Sequence, residues 1–505
     1  MKKPLCITAA FAVIFGLHTL GGWTPALAQG LDPMAAVGKR IFFDRNLSVN
    51  GTQSCADCHE PLTGFTGPDS DDNEILAVYE GAITNRYGNR KPPNAAYAGE
   101  SPVLHYNPAY DNGTDTPGGW IGGMFWDGRA TGERIGDPLA EQAMGPFLNP
   151  LEQAMPNARM VCLKVAHSDY AVQFVEAWGP GSLDYARDVN GVYERIARSV
   201  AAYERSPEVN PFNSKFDRFW RDAKAGGLNV AEITAAGIPG GMGAGGGMGG
   251  GDGGMGPGGG SGGGMGPGGG SGGGMGPGGG SQPIPDWQNY RGFGLSDDEL
   301  MGLAIFNDPN RANCASCHTL TEGSEGYPLF TDFSYHNLGI PKNPDNPYYS
   351  MPAKWNPDGA DWVDPGLGGY LQGAGYDFSI YDVEMGKFKT PTVRNVDLRP
   401  ADDFVKAYGH NGFFKSLDAM DGIIHFYTWR AMKDLIDSGG GMGGGGMGQG
   451  GMEFNSNLFP APELDANRTP MTIFNFLHDG PLIMKFLQTL SDDVPEPAVF
   501  AEKME

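Results

Sequence analysis

The sequence predicts a mainly α-helical chain made of two similar halves with long loops and Gly-rich insertions. Three observations predict this. The pentapeptide C-x-x-C-H occurs twice, as Cys55-Ala56-Asp57-Cys58-His59 and as Cys314-Ala315-Ser316-Cys317-His318. A short amphipathic segment precedes each copy: Gly38-Lys39-Arg40-Ile41-Phe42-Phe43-Asp44 and Gly302-Leu303-Ala304-Ile305-Phe306-Asn307-Asp308. Alternating strand patterns are scarce elsewhere.

From the N-terminus, the first element is an export signal. Lys2 and Lys3 precede an apolar run from Leu5 to about Leu20, and Ala26-Leu27-Ala28 is a small-x-small cleavage site. Residues 1–28 are therefore expected to be removed, leaving Gln29 first. The alternative is an uncleaved anchor, but the run is short for a bilayer, and Pro25 with Ala-x-Ala favours cleavage. No later stretch is apolar for long enough to span a membrane. The mature chain is expected in the periplasm, with the cell surface or secretion as alternatives.

The helices follow in order. Val192, Ile196 and Val200 recur at helical spacing, which predicts a helix over Gly191–Tyr203. Ser296-Asp297-Asp298-Glu299 is an S-x-x-E capping box that starts the helix before the second motif. Pro481–Leu490 reads as a C-terminal helix with proline at its start. Two low-complexity tracts interrupt this pattern. Gly237–Ser281 repeats a decapeptide close to GGMGPGGGSG, and Ser438–Met452 is a shorter relative. Neither can bury a core. The expected organisation is an N-terminal domain over 29–236, a linker over 237–285, a C-terminal domain over 286–493 with an insertion at 438–452, and a tail at 494–505. Methionines recur in the tracts, among them Met242, Met255 and Met447. Thioether sulfur suits Cu(I). Wide glycine spacing pre-organises nothing, so the tracts read as flexible linkers, with copper binding as the alternative.

Composition sharpens the function classes. Glycine accounts for 82 of 505 residues and is concentrated in the tracts, so the folded mass is smaller than the length implies. With 35 basic and 59 acidic side chains the net charge is −24. Such a surface repels phosphate backbones, which disfavours nucleic acid, and attracts basic proteins. Of six cysteines, Cys6 lies in the signal, four form the repeated motifs and Cys162 is left over. That arrangement is not a disulfide scaffold.

C-x-x-C-H is the c-type haem attachment signature. Two thiols at this spacing reach the two vinyl groups on one haem edge, and the adjoining histidine meets the iron from the proximal side. A zinc site would need further ligands at regular spacing, and a thioredoxin-like pair has no use for the histidine. Two covalent haems are expected, on Cys55 and Cys58 and on Cys314 and Cys317, with His59 and His318 as iron ligands.

From Asp32 to Asp493, Gly-rich inserts aside, the chain resembles the bacterial di-haem cytochrome c peroxidases and their MauG-type relatives. The resemblance rests on Arg40-Ile41-Phe42-Phe43-Asp44, Phe125-Trp126-Asp127-Gly128-Arg129-Ala130, Asn149-Pro150-Leu151-Glu152 and Ala202-Tyr203-Glu204-Arg205-Ser206 in the first half. In the second half it rests on Asn337-Leu338-Gly339-Ile340-Pro341, Gly386-Lys387-Phe388-Lys389-Thr390-Pro391-Thr392-Val393-Arg394-Asn395, His410-Asn411-Gly412 and His425-Phe426-Tyr427. It implies two cytochrome-c-like helical domains. The N-terminal haem meets peroxide and the C-terminal haem passes electrons to it. The resemblance makes Glu152 the acid/base group, with Gln142 close by, and sets Trp126 between the haems.

Two departures bear on function. Classical members carry a capping histidine in the loop before F-W-D-G-R-A, whereas 85–93 (NRYGNRKPP) has none. His105, further along, reads as an ordinary loop histidine. The distal ligand of the second haem is Met in classical members and Tyr in MauG-type ones. Met420, His425 and Tyr427 are the candidates, and Tyr427 falls at the ligand position if a short insertion is allowed. A Ca²⁺ between the domains is common in the family, but its usual Asn and Thr positions are Arg90 and Val405 here, which argues against it.

The expected function is reduction of hydrogen peroxide with electrons from a small c-type cytochrome or copper protein. The alternatives are MauG-type oxidation of a protein substrate's side chain, and a non-enzymatic di-haem electron carrier with copper-binding Met tracts.

Overall fold

Each C-x-x-C-H segment hangs from a helix that crosses a second helix at a glycine. In the first half, the helix Pro33–Phe42 starts at Asp32, whose side chain caps the Met34 N–H. It crosses the helix Val189–Glu204 where Gly38 lies against the backbone of Ser199; a Cβ at Gly38 would stand 1.8 Å from that carbonyl oxygen. In the second half, the helix Asp297–Asn307 starts at the capping box of Ser296 and Glu299 and crosses the helix Phe476–Gln488 at Gly302. A Cβ there would stand 2.0 Å from the Leu482 oxygen. The glycine that opens each repeated segment is thus the residue that lets two backbones touch.

The structure, a computed structural model, describes residues 30–110, 117–239, 287–439 and 454–493. The signal segment and the methionines of both Gly-rich tracts lie outside the described residues.

Four residues after each crossing glycine, an aromatic side chain seals the core. Phe42 packs on Tyr203 at 5.3 Å and on Phe65 at 6.3 Å; Phe306 packs on Phe486 at 5.1 Å and on Phe330 at 6.1 Å. The first core gathers Val37, Ile41, Phe147, Val161 and Ile196 around this pair, and the second gathers Leu300, Leu303, Phe426, Ile483 and Leu487.

Two expectations are corrected. The helix Lys215–Ala225 and the residues up to Ile238 pack in the second core through Phe216, Phe219, Trp220, Val230 and Ile233. The C-terminal unit therefore recruits chain that the sequence places before residue 237. Asp217, in the first turn of that helix, forms a fully buried ion pair of 2.8 Å with Arg394. Also, the last helix begins at Phe476, so Pro481 lies inside it rather than at its start. Its early turns are held by buried Asp479, which pairs with Arg311 at 2.6 Å.

Strands are few among the described residues. Strand β1 (His105–Asn107) pairs antiparallel with β2 (Gly119–Ile121), and β3 (Tyr335–His336) with β4 (Phe388–Lys389). A bridge from Ile121 to Ser334 joins the hairpin of the first half to the strand pair of the second. No helix among the described residues is long and apolar enough to cross a membrane.

Candidate functional site

The two proximal arms match atom for atom. His59 donates from Nδ1 to the Phe65 carbonyl at 3.0 Å, and His318 donates from Nδ1 to the Phe330 carbonyl at 3.1 Å. Phe65 and Phe330 both hold positive φ, 59° and 53°, an uncommon conformation for a bulky residue. That backbone twist aims each carbonyl at the imidazole. A second carbonyl faces each ring, from Pro93 in the first half and Pro391 in the second. With Nδ1 engaged, Nε2 is the nitrogen left for a metal. Burial pushes His59 down to about 4 and lowers His318 as well, so both rings stay neutral, the form that ligates iron. Burial also raises all four motif thiols.

Trp126 joins the two arms. Its indole N–H donates to the Lys91 carbonyl at 2.8 Å, and its own carbonyl accepts from the Lys389 N–H at 2.9 Å. Lys91 lies two residues before Pro93, and Lys389 two before Pro391. One buried tryptophan therefore spans the equivalent positions of both halves. Burial lowers Lys91 to about 8 and Lys389 to about 7, so the charge beside this tryptophan is sensitive to its surroundings.

The two sites differ away from the histidines. At the first, Glu152 is half-buried, accepts from Asn149 Nδ2 at 2.9 Å, feels the charge of Arg129, and lies close enough to Cys55 and Cys58 for its carboxylate to raise both thiols. Burial raises its pKa, opposed by Arg129 and Asn149. Gln142, half-buried on the helix Pro138–Ala143, makes no hydrogen bond to Glu152. The amides next to the cysteines are Gln153, whose Nε2 is 3.9 Å from Cys55 Sγ, and Gln53, equally far from Cys58 Sγ. The sequence pattern singles out neither; the one signal that could have found Gln153 is its place directly after Glu152. His105 is exposed and donates to Val103, two residues away.

At the second site a cavity of about 310 Å³ is lined by Cys314, Cys317, His318 and Tyr427, with Phe306, Leu417, Ile424 and Leu487 as apolar wall. Its polar lining includes Lys389, His410 and Trp126. His410 is stacked on Phe388 at 3.6 Å; neither buried ring nitrogen makes a hydrogen bond, and Nε2 lies 3.5 Å from the carboxylate of Glu463, which also lines the cavity. An amphiphilic flat group, apolar at one edge and carboxylated at the other, suits that lining. The residues present thus fit a haem. Of the three candidate distal ligands only Tyr427 lines the cavity. Met420 is 45% exposed, and His425 bonds the Met420 carbonyl and stacks on Phe476.

Between the halves, the Arg90 guanidinium lies between Asp127 at 2.6 Å and Asp364 at 2.7 Å, all three well buried. Val405 donates its N–H to Ser70 and accepts from Asn73.

Duplicated attachment motifs, duplicated proximal arms and a linking tryptophan define a di-haem c-type protein. The family described as di-haem cytochrome c peroxidase matches residues 32–225. The methylamine utilization protein MauG of Paracoccus denitrificans is 29% identical over 79% of this chain and 76% of its own length. The cytochrome-c peroxidase IdrP1 of Denitromonas iodatirespirans is 26% identical over 81% of this chain and 77% of its own. The crystal structure of the di-haem peroxidase BthA from Burkholderia thailandensis superposes with a TM-score of 0.56 at 24% identity, covering 91% of this chain and 86% of that one. The N-terminal part of the chain thus matches the di-haem cytochrome c peroxidase family, and most of its length is similar to MauG and cytochrome-c peroxidases; its two motifs would hold c-type haems.

Proposed function

We propose that this chain is an exported di-haem c-type peroxidase. It reduces hydrogen peroxide at the N-terminal site with electrons that enter at the C-terminal site. The observation that carries the reading is the pairing of Glu152 beside Cys55 and Cys58 with Trp126 between the two arms.

The haems supply the redox chemistry when bound. His59 and His318 are held neutral and aimed by their carbonyl partners to ligate iron. Glu152, near the attachment cysteines, would take a proton from one peroxide oxygen and return it to the other. Arg129 favours its ionised form, and Asn149 fixes its orientation. Gln142 is not assigned a proton-transfer role; Gln153 packs on the attachment edge. Trp126 would shorten the electron path between the arms, and Tyr427, which lines the second cavity, would be the residue to ligate the second haem opposite His318. The positive charge that ties the halves together is Arg90's, in place of a Ca²⁺.

Tyr427 also favours a second reading. An anionic oxygen ligand lowers the iron potential and suits oxidation of a protein side chain, as in MauG-type members. The Lys2–Ala28 segment supports a periplasmic location.

Steady-state peroxide consumption with a reduced cytochrome tests the main reading. Glu152→Gln is expected to lower turnover by about 10²-fold or more while both haems remain attached. Unchanged turnover overturns the proton-transfer assignment.

A further inference from the structure

We propose that an aromatic face at the β1–β2 hairpin is the docking surface for a basic, haem- or copper-carrying redox protein that delivers electrons to the C-terminal site. The proposal rests on the electron-entry reading above and adds the place and chemistry of entry.

Isolated exposed apolar side chains are ordinary, but here several share one face. Phe378 is 65% exposed, Tyr106 50% and Val383 49%. Tyr106 meets Trp120 edge-on at 5.9 Å, Trp120 meets Tyr376 at 5.6 Å, and Phe378 meets Tyr381 at 5.5 Å. Tyr376 and Tyr381 pack on the small core that holds Trp120, so the exposed rings stand on a buried base. Rigid aromatic side chains give contact area at low entropic cost. The rim is acidic: Asp377 and Asp382 are exposed beside Phe378 and Val383. With a net charge of −24, that rim selects a partner whose apolar patch is ringed by lysines.

The face is also connected to the second site. Trp120 lies on β2, whose Ile121 bridges to Ser334. Gly122 donates to the Phe333 carbonyl at 3.0 Å, and Tyr335 returns a bond to Gly122 at 2.6 Å. Ser334 Oγ is 2.8 Å from His336 Nε2, and that nitrogen is 3.4 Å from Cys317 Sγ. A continuous hydrogen-bonded path thus runs from under the aromatic face to a haem-bearing cysteine. One electron crosses per encounter; the partner is oxidised and the C-terminal site reduced, with no bond made or broken.

Stopped-flow reduction of the oxidised holoprotein tests the proposal without peroxide, so the result does not depend on the peroxidase reading. The donors are a reduced, lysine-rimmed monohaem cytochrome c, an acidic cytochrome of similar size, and dithionite. The basic donor is expected to react faster than the acidic one, with a rate that falls as salt rises. Phe378→Asp and Tyr106→Asp, both at exposed positions of the face, are each expected to slow the basic donor about tenfold. Both should leave dithionite reduction unchanged, which also shows that the fold is intact. Unchanged rates with the basic donor overturn the proposal. So do equal rates for the two cytochromes, or a wild type that neither reduces.

Discussion

The two haem sites share their proximal halves and differ in their distal ones. Around His59 and His318 the same parts recur in the same order: a crossing glycine, a sealing phenylalanine, a phenylalanine at positive φ and a lysine two residues before a proline. Opposite them, the first site presents an ionisable carboxyl, Glu152, and the second an aromatic-walled cavity closed by Tyr427. The repeated half attaches and orients the group, and the unrepeated half decides what it does.

The largest way to break that difference is at the junction. Arg90→Met leaves Asp127 and Asp364 buried without their shared cation, and is expected to cost about 3–5 kcal/mol of stability. Denaturant melts of the holoprotein measure this. EDTA is expected to leave the midpoint unchanged, since the linking charge is part of the chain.

Next in size is the distal ligand. If Tyr427 ligates iron as proposed, Tyr427→Met exchanges an anionic oxygen for a thioether and is expected to raise the potential of the second haem. A rise of about 59 mV or more corresponds to at least a tenfold change in a one-electron equilibrium. Spectroelectrochemical titration reads it, and the first haem should move much less. Met420→Leu, at an exposed position, should move neither.

The pH profile separates the sites further. In the proposed function Glu152 works as a base, so its carboxylate form would be the active one. Burial favours the protonated form and raises its pKa. Turnover is therefore expected to fall as pH drops through a limb above the ordinary glutamate range, and Glu152→Gln should abolish that limb. The smallest effect is expected at Gln142. Gln142→Ala should change turnover by less than about twofold, because the side chain makes no hydrogen bond to Glu152.

Much of this was legible in the sequence because it is local or repeated. The capping box at Ser296, the paired C-x-x-C-H motifs and the repeated segments that precede them all lie within short windows. What stayed hidden depends on distant chain. Arg90 meets Asp364, Asp217 meets Arg394, and the segment from the helix Lys215–Ala225 to Ile238 joins a core whose remaining members begin at Trp287. No periodicity encodes such pairings. Pro481 misled for a different reason: proline is usual at a helix start, and here tertiary anchoring through Asp479 overrides it. Gln153 and His410 were missed because an amide or imidazole gains meaning only from what it faces in the fold.

The inequality of the two distal sides is the central claim, and the ferric EPR spectrum of the holoprotein tests it most directly. The account predicts one high-spin signal, from the site beside Glu152, and one low-spin signal, from the site closed by Tyr427. Two low-spin signals that persist on reduction and reoxidation would contradict it.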